Sequence, residues 1–206
     1  MNRSEKFWDK QAARFDREDN DSASTENKTA GKLRKHLKPS DKVLEYACGT
    51  GRLAIDVASN VGEVQGIDIS SEMIAIAKGN AVERNAENVN FSKTTIFEAR
   101  FPEDSFDVIL AFYILHLVET QQVLRRVYDL LKPGGLFISE TPCLGETKSV
   151  VSFVISLASK VGLVPKIQKL GTAELEDLLV NIGFEIVEAE ANSDMIPIDY
   201  IVARKN

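Results

Sequence analysis

The stretch Val43-Leu44-Glu45-Tyr46-Ala47-Cys48-Gly49-Thr50-Gly51 is followed by Asp68, nineteen positions beyond Gly49. Its apolar start reads as a buried strand, its glycines as a tight turn, and Arg52-Leu53-Ala54-Ile55 as the opening of a helix. Such a turn presents backbone N–H groups at the positive end of a helix dipole, where an anionic or carboxylate-bearing ligand is favoured. An acid roughly 20 residues on, closing the next strand, is placed to accept hydrogen bonds from a ribose. The constellation therefore predicts a nucleoside-bearing cofactor. The plainer reading of Asp68 is a turn or helix-capping acid. Glu45, inside an apolar strand, needs either a ligand ammonium or a nearby backbone turn as its partner.

Outward from this stretch the chain alternates strand and helix. The expected order is a strand Val43–Ala47, a helix over 51–59, a strand Val64–Asp68 and a helix capped by Ser70, with Met73, Ile74, Ala77 and Ala81 on one side. Strands Val89–Lys93 and Phe106–Phe112 follow, the second almost wholly apolar, as expected for a strand covered on both faces. A helix Thr120–Leu131 stops at Lys132-Pro133-Gly134-Gly135, before a strand Leu136–Glu140. Such alternation implies an α/β fold with right-handed crossovers and a parallel sheet between helices. A helix Thr172–Ile182 and a Gly183 stop then precede strands Phe184–Ala189 and Ile198–Arg204, too close together for a crossover and so read as an antiparallel pair.

Before the first strand lie two helices. The first, Ser4 to about Asp19, carries Phe7, Trp8, Ala12 and Phe15 at helical spacing; a polar break at residues 19–24 reads as a mobile loop, and a second helix is expected over Asn27–Leu37.

At 206 residues the chain fits one domain. A net charge of −6 and a pI near 5.1 argue against a nucleic-acid partner, and the basic cluster Lys32, Arg34, Lys35 and Lys38 reads as a solvated helix face. Cys48 and Cys143 give neither a disulfide framework nor metal-ligand spacing, and Cys48 is read as a small packing residue. The polar N-terminus is not a signal peptide, and the most apolar run, Val150–Val164, is interrupted by Lys160 and too short to span a bilayer. No transmembrane segment and a cytoplasmic location are expected.

The motifs Glu45–Gly51, Gly66-Ile67-Asp68-Ile69-Ser70, Ser105-Phe106-Asp107-Val108-Ile109, Leu115-His116-Leu117 and Leu131–Gly135 occur in one order. With them the chain resembles the class I S-adenosylmethionine-dependent methyltransferases, more narrowly the small-molecule branch that includes the ubiquinone and menaquinone methyltransferases. The resemblance covers residues 4–140 well and 172–204 in outline. It implies a Rossmann-like, doubly wound, seven-stranded sheet, mostly parallel with an antiparallel last strand, plus N-terminal helices. One methyltransferase domain would then run over 1–206: a helical cap (1–40), a cofactor-binding core (42–140), a substrate lid insertion (142–170) and a closing helix and strand pair (172–206).

The resemblance also implies roles. Ala47, Cys48, Gly49, Thr50 and Gly51 would pass under the methionine part of S-adenosyl-L-methionine, with Glu45 fixing its amino end. Asp68 would take the ribose hydroxyls, Ile69 and Met73 would flank the adenine, and Phe112 to His116 would line the far side of the methionine and face the substrate. The N-terminal helices, with Trp8 and Phe15, would close over the site. Many relatives place an aspartate shortly after the third strand; here that place falls on Thr95, beside Ile96, and a neutral hydroxyl makes the weaker acceptor for the adenine amine. Backbone groups or Glu98 are the alternatives.

His116, after a buried strand, is the candidate general base, against the reading of a structural histidine bonded to backbone. His36 reads as structural. Tyr113 and Glu140 could orient a substrate, and Asp104 and Asp107 are read as turn and strand-entry residues. The expected function is methyl transfer from S-adenosyl-L-methionine to a small, apolar acceptor, with no metal. Two alternatives stand beside it. Gly49-x-Gly51-x-x-Ala54 also fits the fingerprint of an NAD(P)-dependent oxidoreductase, and the Thr95 departure would suit a non-catalytic S-adenosylmethionine-binding module.

Overall fold

The computed structural model describes residues 3–21, 23–98, 101–143, 145, 167–191 and 197–206. Its strands form one seven-stranded sheet in the order β3-β2-β1-β4-β5-β7-β6. These are β1 Lys42–Tyr46, β2 Glu63–Asp68, β3 Val89–Lys93, β4 Phe106–Phe112, β5 Leu131–Pro142, β6 Phe184–Ala191 and β7 Ile198–Lys205. β1 and β3 both run parallel to β2, whereas β7 is antiparallel to β5 and to β6. The expected antiparallel closing pair is present. The chain divides into two compact units, Met1–Glu98 with Phe106–Val108, and Ala99–Ser105 with Ile109–Asn206.

In the first unit, Glu45, Gly66 and Phe91 stand side by side across β1, β2 and β3. A Cβ on Gly66 would fall 2.5 Å from Phe91 Cδ1, and one on Gly51 2.4 Å from Phe91 Cζ. Both glycines are thus set by one aromatic ring, which lies flush against the sheet and the start of the next helix. That helix, α3 (Arg52–Ala58), begins from Gly51 in the left-handed conformation at φ 79°. α4 (Ser71–Glu83) begins from Ser70, whose hydroxyl accepts the Met73 N–H at 3.1 Å, and buries Met73, Ile74 and Ala77.

The N-terminal helices differ from expectation. α1 runs over Arg3–Asp21 and α2 over Ala23–Arg34, so most of the polar segment expected to be a loop is helical. No glycine or proline lies between Arg3 and Ala30, and polar residues alone lower helix propensity only modestly. α2 also ends earlier than expected, its last turn tightening into the bonds His36 N–H to Leu33 O and Leu37 N–H to Arg34 O. Of the apolar residues spaced along α1, Ala12 is buried, Phe7 and Trp8 are half-buried and Phe15 is 38% exposed.

In the second unit, α5 (Thr120–Leu130) buries the stripe Val123, Leu124, Val127 and Leu130. Leu131 is already extended, so β5 begins there and includes the Pro-Gly-Gly segment, five residues before the expected start. Pro133 explains the stop: the residue before a proline is driven out of the helical region, and proline itself donates no N–H. α6 (Thr172–Ile182) has the expected bounds and ends on Gly183 at φ 120°. Lys205 ties β7 back by donating to Leu131 O and Asp104 Oδ1, each at 2.7 Å. Asp107 accepts from the Lys42 N–H at 2.9 Å in the first unit, in keeping with a strand-entry role. The expected lid, 142–170, lies outside the described residues apart from 142, 143, 145 and 167–170.

The Phe91 contact makes a prediction with a built-in control. Gly66→Ala overpacks the site and lowers unfolding free energy by about 1–3 kcal/mol. Gly79→Ala, in the middle of α4 with nothing within 4 Å of the added carbon, raises it by about 0.5–1 kcal/mol. Urea denaturation of both variants checks the signs; a harmless Gly66→Ala contradicts the packing.

Candidate cofactor and acceptor sites

The glycine turn is held in its shape by local bonds. Cys48 N–H donates to Ile67 O at 3.0 Å and Gly51 N–H to Cys48 O at 2.9 Å. Ala47, Gly49 and Gly51 have φ of 60°, 53° and 79°, and at Ala47 this is a conformation that side-chain-bearing residues seldom adopt. A Cβ on Gly49 would meet nothing within 4 Å. Gly51 is therefore glycine because the core presses on it, and Gly49 because the backbone there must be left-handed beside open space.

Asp68 ends β2 and faces this turn. Its Oδ2 accepts the Gly49 N–H at 3.2 Å and its Oδ1 the Ser70 N–H at 2.8 Å. Burial lifts its carboxyl above the usual carboxylate range, and the N–H groups of Ser70 and Gly49 oppose that shift. A carboxylate offers about four acceptor positions, so these bonds leave capacity for hydroxyl donors. These bonds show Asp68 organising the turn, and they do not use all of its acceptor capacity.

The first unit also contains Glu45, Ala47, Cys48, Thr50, Ile69, Met73, Thr95 and Ile96. Glu45 and Thr50 are buried at 4% and 3% exposure. Cys48 is also buried, with Sγ 3.1 Å from where a Gly66 Cβ would stand. Burial first, and then the charges of Glu45 and Asp68, hold its thiol well above the ordinary range. It is a neutral packing group, as expected. Met73 and Ile96 are core residues, whereas Thr95 is exposed. The Glu98 carboxylate accepts from the Thr94 hydroxyl at 2.9 Å. A separate groove of about 450 Å³ opens between α4 and β3, lined by residues that include Ala81, Val82, Ala86 and Asn90, and contains none of the turn.

In the second unit, Phe112 ends β4 and Tyr113 follows it. Tyr113 Oη donates to Glu140 Oε1 at 3.0 Å, and Tyr113 N–H to Glu140 O at 2.8 Å. Tyr113 is 49% exposed with φ 54°, a costly backbone state of the kind that clusters at ligand sites. Burial and the neighbouring Glu140 charge raise its phenol pKa. His116 lies in a short helical turn, Leu115–Leu117, whose backbone is fixed by Gln168 N–H to His116 O at 2.8 Å and Thr120 Oγ1 to Leu115 O at 2.9 Å. Its buried Nδ1 has no hydrogen-bond partner among the described residues, and burial pushes the imidazole down to about 4. The ring is neutral at neutral pH and so retains a lone pair, but it is a weak base.

Sequence reading missed Asp9, Asp16 and Asn80, and saw Ser70 only as a cap. The Ser70 hydroxyl donates to Asp9 Oδ1 at 2.6 Å. Asn80 Nδ2 donates to Asp16 Oδ1 at 3.2 Å and to Thr50 O at 3.1 Å. Glu5 pairs with Lys93. The signal was available: Glu5, Asp9, Ala12 and Asp16 follow helical spacing, so the inner stripe of α1 is acidic around one alanine.

A parallel α/β unit with a glycine turn and a strand-end acid defines a nucleoside-cofactor protein in general terms. A family model described as a methyltransferase domain matches residues 37–174, and the chain belongs to that family. This decides against the nicotinamide alternative. Phosphoethanolamine N-methyltransferase 3 of Arabidopsis thaliana is 32% identical over 160 residues, covering 77% of this chain and 31% of that protein. Demethylmenaquinone methyltransferase of Listeria monocytogenes serotype 4a is 35% identical over 103 residues, covering 48% and 44%. The chain thus spans less than half the length of either relative. Among solved structures, a complex of the Haloferax volcanii Trm112 methyltransferase activator with a methyltransferase gives a TM-score of 0.78 at 17% identity, covering 98% of this chain and 97% of that one. Geranyl diphosphate C-methyltransferase from Streptomyces coelicolor A3(2) gives 0.74 at 14%, covering 88% and 79%. These structures share the fold. Among the described residues, no helix is long and apolar enough to cross a membrane, and no His, Cys, Asp and Glu side chains group as a metal site.

His116 predicts an acid-labile stability term. The unfolded chain takes up this proton near its ordinary value of 6.5 and the folded one only near 4, so stability falls as pH drops through that window. The loss amounts to up to about 3 kcal/mol. Urea denaturation at pH 7 and pH 4.5 should show His116→Gln losing less than the wild type; parallel losses contradict the burial argument.

Proposed function

We propose that this chain binds S-adenosyl-L-methionine at the Ala47–Gly51 turn and Asp68 and transfers its methyl group to a small molecule. The carrying observation is the bonded pair of turn and acid, Gly49 N–H to Asp68 Oδ2, in a chain of methyltransferase-domain family. Gly49 leaves space above a turn of left-handed residues, and Asp68 keeps acceptor capacity; both fit a ligand with a carboxylate at one end and ribose hydroxyls near the middle. Glu45 would hold the amino end. Ile69 would contact the adenine from one side, with Thr95 and the backbone beside it taking the exocyclic amine. Met73 and Ile96, being core residues, would act from beneath by shaping the floor.

Bound S-adenosylmethionine supplies a methyl group already activated on a sulfonium. The protein's task is then to align an acceptor and exclude water, and proximity of that kind accounts for about 7–11 kcal/mol of a barrier. Tyr113 and Glu140 would orient the acceptor through their shared hydrogen bond, and Phe112 would line the passage. Trp8 and Phe15 would cover the cofactor from α1. His116 serves as base where the acceptor must lose a proton; a neutral amine or a sulfur acceptor would need none. The relatives' names cover an amine (phosphoethanolamine) and a quinone (demethylmenaquinone), which supports a small-molecule acceptor over a macromolecular one. The net charge of −6 supports the same reading, with no nucleic-acid partner. Two buried free cysteines suit the cytoplasm.

Thermal-shift titration tests the cofactor. S-adenosylmethionine and S-adenosylhomocysteine should raise Tm, and NADH should not. Asp68→Ala should weaken binding about 10- to 100-fold, as expected for loss of hydrogen bonds to a charged acceptor. Stabilisation by NADH alone, or full cofactor binding by Asp68→Ala, overturns the assignment.

A further inference from the structure

α1 is bonded to the cofactor turn by two carboxylates, Asp9 through Ser70 and Asp68, and Asp16 through Asn80. The first route starts at Asp9. Its Oδ1 accepts the Ser70 hydroxyl at 2.6 Å and the Glu72 N–H at 3.3 Å. Ser70 in turn donates its backbone N–H to Asp68 Oδ1 at 2.8 Å, and Asp68 Oδ2 accepts the Gly49 N–H at 3.2 Å. The second route starts at Asp16, which accepts from Asn80 Nδ2 at 3.2 Å; the same amide donates to Thr50 O at 3.1 Å. One route reaches the acid that faces the ribose position, and the other reaches the middle of the turn.

The chemistry of these links makes them directional. The Ser70 hydroxyl has a single proton. While it accepts the Met73 N–H at 3.1 Å, its own proton goes to Asp9, so Asp9 fixes the rotor that caps α4. An ionised acceptor makes the stronger bond, and Asp9 stands at the positive end of α4, where negative charge is favoured. Asn80 spends both amide protons, one on α1 and one on the turn. On this stripe of α1 the one residue between Asp9 and Asp16 is Ala12, which is small and buried, so the polar links flank a small apolar contact.

We propose that Asp9 and Asp16 are positioning residues that couple docking of α1 to cofactor binding at the turn, so that each strengthens the other. This inference rests on the turn and Asp68 being the cofactor site. Linkage requires the coupling to be reciprocal: what fixes Asp68 and Thr50 for the ligand fixes α1, and conversely.

Two readouts test it on the full chain, with S-adenosylhomocysteine as the ligand. Its Kd is taken from a titration, and α1 docking from the rate of tryptic cleavage after Lys10 and Arg14; the fluorescence of Trp8, the chain's one tryptophan, reports the same helix. In the wild type the ligand should slow cleavage at least fivefold. In Asp9→Ala/Asp16→Ala, cleavage without ligand should be faster, the ligand should no longer slow it, and Kd should rise about tenfold. Alanine favours helix, so α1 itself is not broken by the change. Asp9→Asn/Asp16→Asn keeps an acceptor oxygen at each place and should recover most of both effects. Unchanged Kd and unchanged ligand protection in the double alanine variant overturn the coupling while leaving the cofactor reading intact. A wild type that binds the ligand with no change at α1 also overturns it. A wild type that does not bind the ligand at all overturns the cofactor reading, and the coupling with it.

Discussion

The carboxylate of Asp68 is the constraint on which the first unit turns. It sits at the end of β2 with one oxygen on the Gly49 N–H and the other on the Ser70 N–H. It therefore joins the turn after β1 to the start of α4. Neither segment can move without breaking a hydrogen bond to a half-buried carboxylate, which is worth more than a bond between neutral groups. Burial disfavours the ionised carboxylate, and the N–H groups of Ser70, Gly49 and Ile69 offset part of that cost. Further donors offset more. A ligand presenting adjacent hydroxyls at this place would complete the solvation that the fold leaves partial, and that is the physical reason for reading the site as a ribose site.

Much of this was legible in the sequence, because the features concerned are local. The left-handed backbone at Gly49 and Gly51 is written in the glycines, the α4 cap in Ser70, and the antiparallel closing pair in the short link between β6 and β7. The second role of Gly51 was not legible. Its Cβ position is filled by Phe91, forty residues away, and the same ring fixes Gly66. Nor was the orientation of α1. Phe7, Trp8, Ala12 and Phe15 share helical spacing, yet the side chains that bond to β3, to α4 and to its cap are Glu5, Asp9 and Asp16. The partners Ser70, Asn80 and Lys93 lie more than sixty residues further along, so hydrophobic periodicity could not reveal them. The helical extent of α1 is hidden for a simpler reason: its polar residues resemble a break, although no helix-breaking residue stands there.

The second unit divides its chemistry between two neighbours in sequence. Tyr113 is strained, half exposed and hydrogen-bonded to Glu140, which suits a group that meets an acceptor and turns it. His116 is held by its backbone, with a half-buried imidazole of low basicity. An activated methyl donor makes few demands on a base, so a weak one is compatible with transfer to an acceptor that is itself acidic or already deprotonated. Orientation by Tyr113 and Glu140, rather than proton removal, is then the larger contribution expected of this unit.

Most depends on where the nucleoside lies, and a crystal structure of the chain with S-adenosylhomocysteine tests that directly. The ribose hydroxyls should stand within hydrogen-bond distance of Asp68, with the amino-acid end of the ligand over Ala47–Gly51 and the Asp68 bonds to Gly49 and Ser70 retained. A nucleoside bound elsewhere, for instance in the groove between α4 and β3, with Asp68 engaged only by its two backbone partners, would contradict it.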